Sequence, residues 1–168
     1  MIRMVKRNCS YFFLFLLVML LDGQMTTTFS NFFSLDWKVN SHLLLILFLF
    51  ASLELAELEL FIQTFLLGFL YDLYYLDMIG VMIFMFPIIS LALASVNDIL
   101  LYSPWTRLFS ILILTFTFEM VVMGLGIFLG RANFSLSSFI IVSLVPTIIF
   151  NLILFMILQP IFKKFHLI

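Results

Sequence analysis

The sequence predicts an all-α polytopic membrane protein, one bundle over residues 1–168 with about six transmembrane helices. Three observations carry this prediction. Hydrophobic residues make up 65% of the chain and charged residues only 10%, against about 25% charged in an ordinary soluble domain. Such a chain has too few charges to cover a soluble surface. The apolar runs are of helical length, so their backbone polar groups can be satisfied within one segment, as hydrocarbon requires. The alternation of apolar and polar residues that marks a membrane barrel strand is absent. The net charge of −1 offers no basic stripe for a nucleic acid. The one cysteine, Cys9, cannot build a disulfide framework, and two histidines are too few for an intramembrane metal cluster. No cofactor is expected.

The first helix starts from the run "YFFLFLLVMLL" (residues 11–21) and continues through Asp22 and Gln24 to residue 29. "MIRMVKR" resembles the basic region of a signal peptide, but no small-x-small cleavage site follows, so the helix is read as retained. The second span is residues 41–53, short and ending in "ELAELE". The third covers 60–76, the fourth 78–96, the fifth 108–129 and the sixth 134–158. "NDILLYSPWTR" is expected as the loop before the fifth, and "RANFSLSS" as the break before the sixth. Residues 41–76 leave two readings open, two shorter helices or one long helix with a re-entrant piece.

Basic residues orient the bundle. With six spans, Arg3, Lys6, Arg7, Arg107, Lys163 and Lys164 share one side, and only Lys38 and Arg131 take the other. The positive-inside rule then places both termini in the cytoplasm. Five spans would split the basic termini across the bilayer.

Polar residues inside the spans are the candidate functional positions. A carboxylate at the centre of a membrane helix costs about 3 kcal/mol on insertion scales, so each calls for a partner, water or a function. Thr64, Gly68 and Asp72 recur every four residues and share one helix face, with Tyr75 three further on. Ser143, Thr147 and Asn151 repeat that spacing in the sixth span, headed by Pro146. In the fifth, Thr115 precedes Glu119 by four, and Gly126 precedes Gly130 by four, a small-xxx-small pattern that permits close helix approach. Such stripes are the ordinary glue of membrane bundles, and packing alone accounts for Ser143, Thr147, Gly126 and Gly130. Asn151 needs an interhelical hydrogen bond. Glu119 stands mid-span with no basic residue near it in sequence. Asp72 is expected near the outer interface, within reach of water, and Asp77 in the turn before Gly80. Together Gly68, Asp72 and Gly80 read as a helix–turn–helix corner. Pro87, Pro146 and Pro160 are expected to kink or stop helices.

Catalysis finds little support. His42 lies at a helix start and His166 in the tail, neither placed to serve a serine nucleophile within the bilayer. The acids of "ELAELE" have no His or Arg beside them, and no phosphate loop or metal-spaced histidines occur. No catalytic residue is assigned.

"GFLYDLYYLDMIGV" resembles the MreD family of rod shape-determining membrane proteins, which has a Gly, an Asp four residues on, and a Gly opening the next helix. Gly68, Asp72 and Gly80 match that pattern. "VPTIIFNLILFMILQP" resembles the family's last helix at Pro146, Asn151 and Pro160, and "FFLFLLVMLLDGQ" resembles members from cocci and ovoid Gram-positives. The resemblance covers nearly the whole chain. It implies a non-catalytic component of the cell-wall elongation machinery, paired with the bitopic protein MreC. A RodA-type glycosyltransferase and a class B penicillin-binding protein would be neighbours; an MreB filament is not assumed. It also implies an architecture like the substrate-binding components of energy-coupling vitamin transporters. Such a component is the alternative function, weakened because the first helix, "CSYFFLFLLVMLLDG", lacks the Ala-xxx-Ala face that those proteins use for docking.

Overall fold

A computed structural model describes residues 2–32, 37–76, 80–130 and 135–164. Asp77, Arg131 and His166 lie outside the described residues. The described chain is helical almost throughout: α1 (Ile2–Phe32), α2 (Leu43–Ser52), α3 (Glu57–Tyr71), α4 (Met82–Ser95), α5 (Asn97–Tyr102), α6 (Pro104–Phe128), α7 (Leu136–Phe139) and α8 (Val145–Lys164). A π-helical turn, Asp72–Leu76, extends α3, and another, Ile140–Leu144, joins α7 to α8. Among the described residues, three helices are long and apolar enough to cross a membrane: Ser10–Phe29, Pro104–Phe128 and Leu136–Phe162.

The centre is α2. Its sequence, LLLILFLFAS, is apolar on every side, and a helix of that kind has no face to give to water. Nine of its ten residues are buried, and it packs against α1, α3, α4, α6 and α8. Aromatic rings carry the contacts. Phe48 meets Phe15 of α1 and Phe86 of α4 edge-on, each at 5.3 Å, while Phe50 stacks on Phe162 of α8 at 4.0 Å. Offset and edge geometries of this kind add to the gain from burial.

Cross-contacts show which ends of the segments lie together. The Tyr11 hydroxyl, near the start of α1, donates to Glu54 just after α2. The Asn97 amide, at the start of α5, donates to the carbonyl of Ser52 at 2.6 Å. With the Phe50–Phe162 stack, these place the start of α1, the α2–α3 turn, the α4–α5 junction and the end of α8 at one end of the bundle.

Several expected boundaries shift. The second span shrinks to ten residues, because Ser41 and His42 are not helical. "NDILLYSPWTR" is not a loop: it forms α5 and the first turn of α6, where Ser103 caps the helix and Pro104 occupies the first position. Arg107, read as a loop cation, is therefore inside α6 and only 3% exposed. Neither Pro87 nor Pro160 stops its helix, since α4 and α8 run through them.

Candidate functional site

The buried polar residues converge on a short non-helical segment, residues 37–42, that leads into α2 among apolar helices. Away from water, every N–H and C=O of such a segment needs a partner. The neighbouring helices supply them. The N–H of Asn40 donates to Thr147 Oγ1 at 3.1 Å, that of Ser41 to Thr26 Oγ1 at 3.0 Å, and that of His42 to Asn151 Oδ1 at 2.7 Å. Next, Leu43 and Leu44 donate to the two oxygens of Asp22 at 2.9 and 3.4 Å. Five consecutive backbone donors thus end on side chains of α1 or α8, alternating between the two helices from residue 40 to residue 43.

Residue chemistry explains the assignment. Asn151 is fully buried and uses both ends of its amide, with Nδ2 donating to Asn40 O at 2.9 Å and to Thr147 O at 2.8 Å. Pro146 has no N–H to offer the carbonyl four residues earlier, which leaves Val142 O open. That oxygen accepts from the Lys38 N–H at 2.9 Å.

The segment is also tied to α6. His42 Nε2 and Asn40 Nδ2 both lie 2.8 Å from Glu119 Oε1, and the His42 ring packs edge-on against Phe118 at 5.0 Å. Glu119 is 4% exposed and His42 8%. Glu119 Oε2 receives no hydrogen bond from the described residues. Beside it lies a cavity of about 310 Å³ between the segment, α6 and the α7–α8 helix. Asn40, Glu119, Met123, Gly126, Phe139 and Ser143 are among its lining residues.

The second polar centre is the α3–α4 corner. Asp72 is 0% exposed, so its carboxylate does not reach water as expected. Its carboxylate accepts from the N–H groups of Gly80, Met82 and Ile83 at 2.8, 2.8 and 3.2 Å. Val81, the residue in the N-cap position of α4, makes no side-chain cap bond, so Asp72 caps that helix from across the corner. Asp22 does the same for α2, whose own His42 cap is also without a side-chain cap bond. Gly80 has φ +125°, a conformation that favours glycine. Gly68 sits where the helices touch: a Cβ there would lie 2.7 Å from Ile83 Cα. One turn away, the Thr64 and Ser90 hydroxyls meet at 3.1 Å.

The sequence candidates therefore fall into two groups. Gly68, Asp72 and Gly80 meet at the α3–α4 corner. Glu119, Gly126, Pro146 and Asn151 gather around the 37–42 segment. Gly130 joins neither: it ends α6 with φ +66°, and a Cβ on it would meet nothing within 4 Å, so it serves as a helix stop, not a packing contact. Glu119 does have a basic neighbour, His42, from 77 residues away. Sequence reasoning made no site candidates of Asp22, Thr26, Asn40 and His42. The polar "NSH" directly before an all-apolar helix was the available signal.

His42 is held between Glu119 and Phe118, and no serine or cysteine is hydrogen-bonded to its ring among the described residues. The described residues hold no cluster of three His, Cys, Asp or Glu that could bind a metal.

The family model described as rod shape-determining protein MreD matches residues 6–167. The chain belongs to the MreD family. It is 33% identical over 165 residues to the cell shape-determining protein MreD of Streptococcus pneumoniae (strain ATCC BAA-255 / R6), covering 98% of this chain and 99% of that one. No solved structure matches it. MreD membership gives the chain a role in cell shape, and its apolar helices associate it with a membrane.

Proposed function

We propose that this chain is a non-catalytic membrane component of the cell-wall elongation machinery, controlling cell shape and peripheral peptidoglycan synthesis in complex with an MreC-type bitopic protein. The observation that carries the reading is the use of its buried polar groups. Asp22, Asp72, Thr147 and Asn151 all bond to the chain's own backbone. Membrane-facing helix surfaces remain for recognition of other proteins, and a RodA-type glycosyltransferase and a class B penicillin-binding protein are the further neighbours.

The same reading includes six membrane crossings, with both termini in the cytoplasm. Helix α3 with its π turn is twenty residues, about 30 Å at 1.5 Å per residue. Helix α4, fourteen residues and about 21 Å long, makes a further crossing. Helix α2 alone is about 15 Å long, but six non-helical residues before it add up to about 20 Å. A broken crossing of this kind is tolerated where protein surrounds it, which is the condition the polar network meets.

The test is purification of the tagged chain from its native membrane after cross-linking, with identification of what accompanies it. A single-span, coiled-coil-bearing partner is the expected result. Recovery with an energy-coupling ATPase module instead would replace this reading with the vitamin-transporter one.

A further inference from the structure

The cavity beside Glu119 has features the fold itself does not use. Glu119 Oε1 is saturated by His42 and Asn40, yet Oε2 of the same buried carboxylate accepts nothing from the described residues. Asn40 donates through Nδ2, and its Oδ1 likewise receives no hydrogen bond from them. Both residues line the cavity. Ser143 lines it too. Elsewhere the wall is apolar, from Val122, Met123 and Phe139. At about 310 Å³ it lies at the small end of ligand pockets, which run from about 300 to 1,000 Å³.

Acceptors without donors define the missing chemistry. A carboxylate oxygen is satisfied best by a charged donor. A hydroxyl brings one proton; an ammonium brings three, enough for Glu119 Oε2, Asn40 Oδ1 and Ser143 together. We propose that this cavity binds a primary ammonium carried on a small apolar body, with the ammonium on Glu119 and Asn40 and the body against Val122, Met123 and Phe139. The ammonium has two sources, a free alkylamine or the headgroup of an aminophospholipid.

The experiment uses the full chain in phosphatidylcholine nanodiscs, titrated calorimetrically with n-octylamine and, separately, n-octanol. One octylamine should bind per chain, about tenfold or more tighter than octanol, the difference expected of one charge-assisted contact. Glu119→Gln keeps the Oε1 acceptor for His42 and Asn40; it should remove the preference for amine while octanol still binds. Gly126→Leu, which adds a side chain at a residue lining the cavity, should abolish binding of both. Replacing part of the lipid with phosphatidylethanolamine assigns the source: competition with octylamine identifies the headgroup, and unchanged affinity identifies a free amine. Equal affinity for octanol and octylamine, no saturable binding to the unmutated chain, or full octylamine binding by a folded Gly126→Leu variant would each overturn the proposal.

Discussion

His42 Nε2 stands 2.8 Å from Glu119 Oε1, joining the residue that opens the central helix to the middle of α6. The contact is buried and includes Asn40 as a second donor to the same oxygen. A non-helical segment is thereby locked on three sides, by α1, α6 and α8.

Removing the carboxylate leaves the donors of buried His42 and half-buried Asn40 without an acceptor. Glu119→Leu should lower stability by about 3 kcal/mol, the usual cost of breaking one side of a buried charged or polar pair. The double variant His42→Leu/Glu119→Leu should cost less than the sum of the single changes by about 1 kcal/mol or more. Unfolding curves in detergent micelles measure both. Strict additivity would show that the two side chains are not energetically coupled.

Asn151 offers a sharper test, because its two amide ends face opposite needs. Oδ1 accepts the His42 N–H, whereas Nδ2 faces two carbonyl oxygens. Asn151→Asp keeps the acceptor but turns a donor into a second acceptor against those carbonyls. It should destabilise about as much as Asn151→Leu, by about 2 kcal/mol or more. An Asp variant with an unchanged Tm would mean that Nδ2 contributes nothing.

At the corner, Asp72→Leu removes the acceptor for three N–H groups that begin α4. A loss of about 1–3 kcal/mol is expected, with Asp72→Asn less damaging because one oxygen remains. Gly80→Ala should cost a further 1–3 kcal/mol or so through its positive φ. Thermal melts of the purified variants rank the three.

Gly68→Leu should sharply reduce abundance in membranes, since its Cβ would lie 2.7 Å from the Ile83 backbone and force α3 from α4. Gly124→Leu is the matched control: no atom lies within 4 Å of a Cβ there. Equal abundance of the two variants on immunoblots would remove close packing as the reason for glycine at 68.

For topology, reporter fusions at either end should both read as cytoplasmic, following the excess of basic residues on that side. A fusion reporting outside at one terminus would require an odd number of crossings and remove the broken one at residues 37–52.

Composition and periodicity alone determined the class of this protein and the polar faces of its helices. A chain with 10% charged residues has to give its surface to lipid. A four-residue repeat puts Thr64, Gly68 and Asp72, or Ser143, Thr147 and Asn151, on one side of a helix, wherever that helix goes. These are local properties, carried by neighbours along the chain, and so were the glycines and acid that read as a corner. What those faces touch was decided only by tertiary structure. Helix α2 ends up central and ten residues long, preceded by a polar segment whose partners lie on α1, α6 and α8. Glu119 looked unpartnered until packing brought His42 across 77 residues, and Asn151 reaches Asn40 across 111. Hydrogen bonds over such separations depend on how helices assemble, and no spacing rule within one helix encodes them.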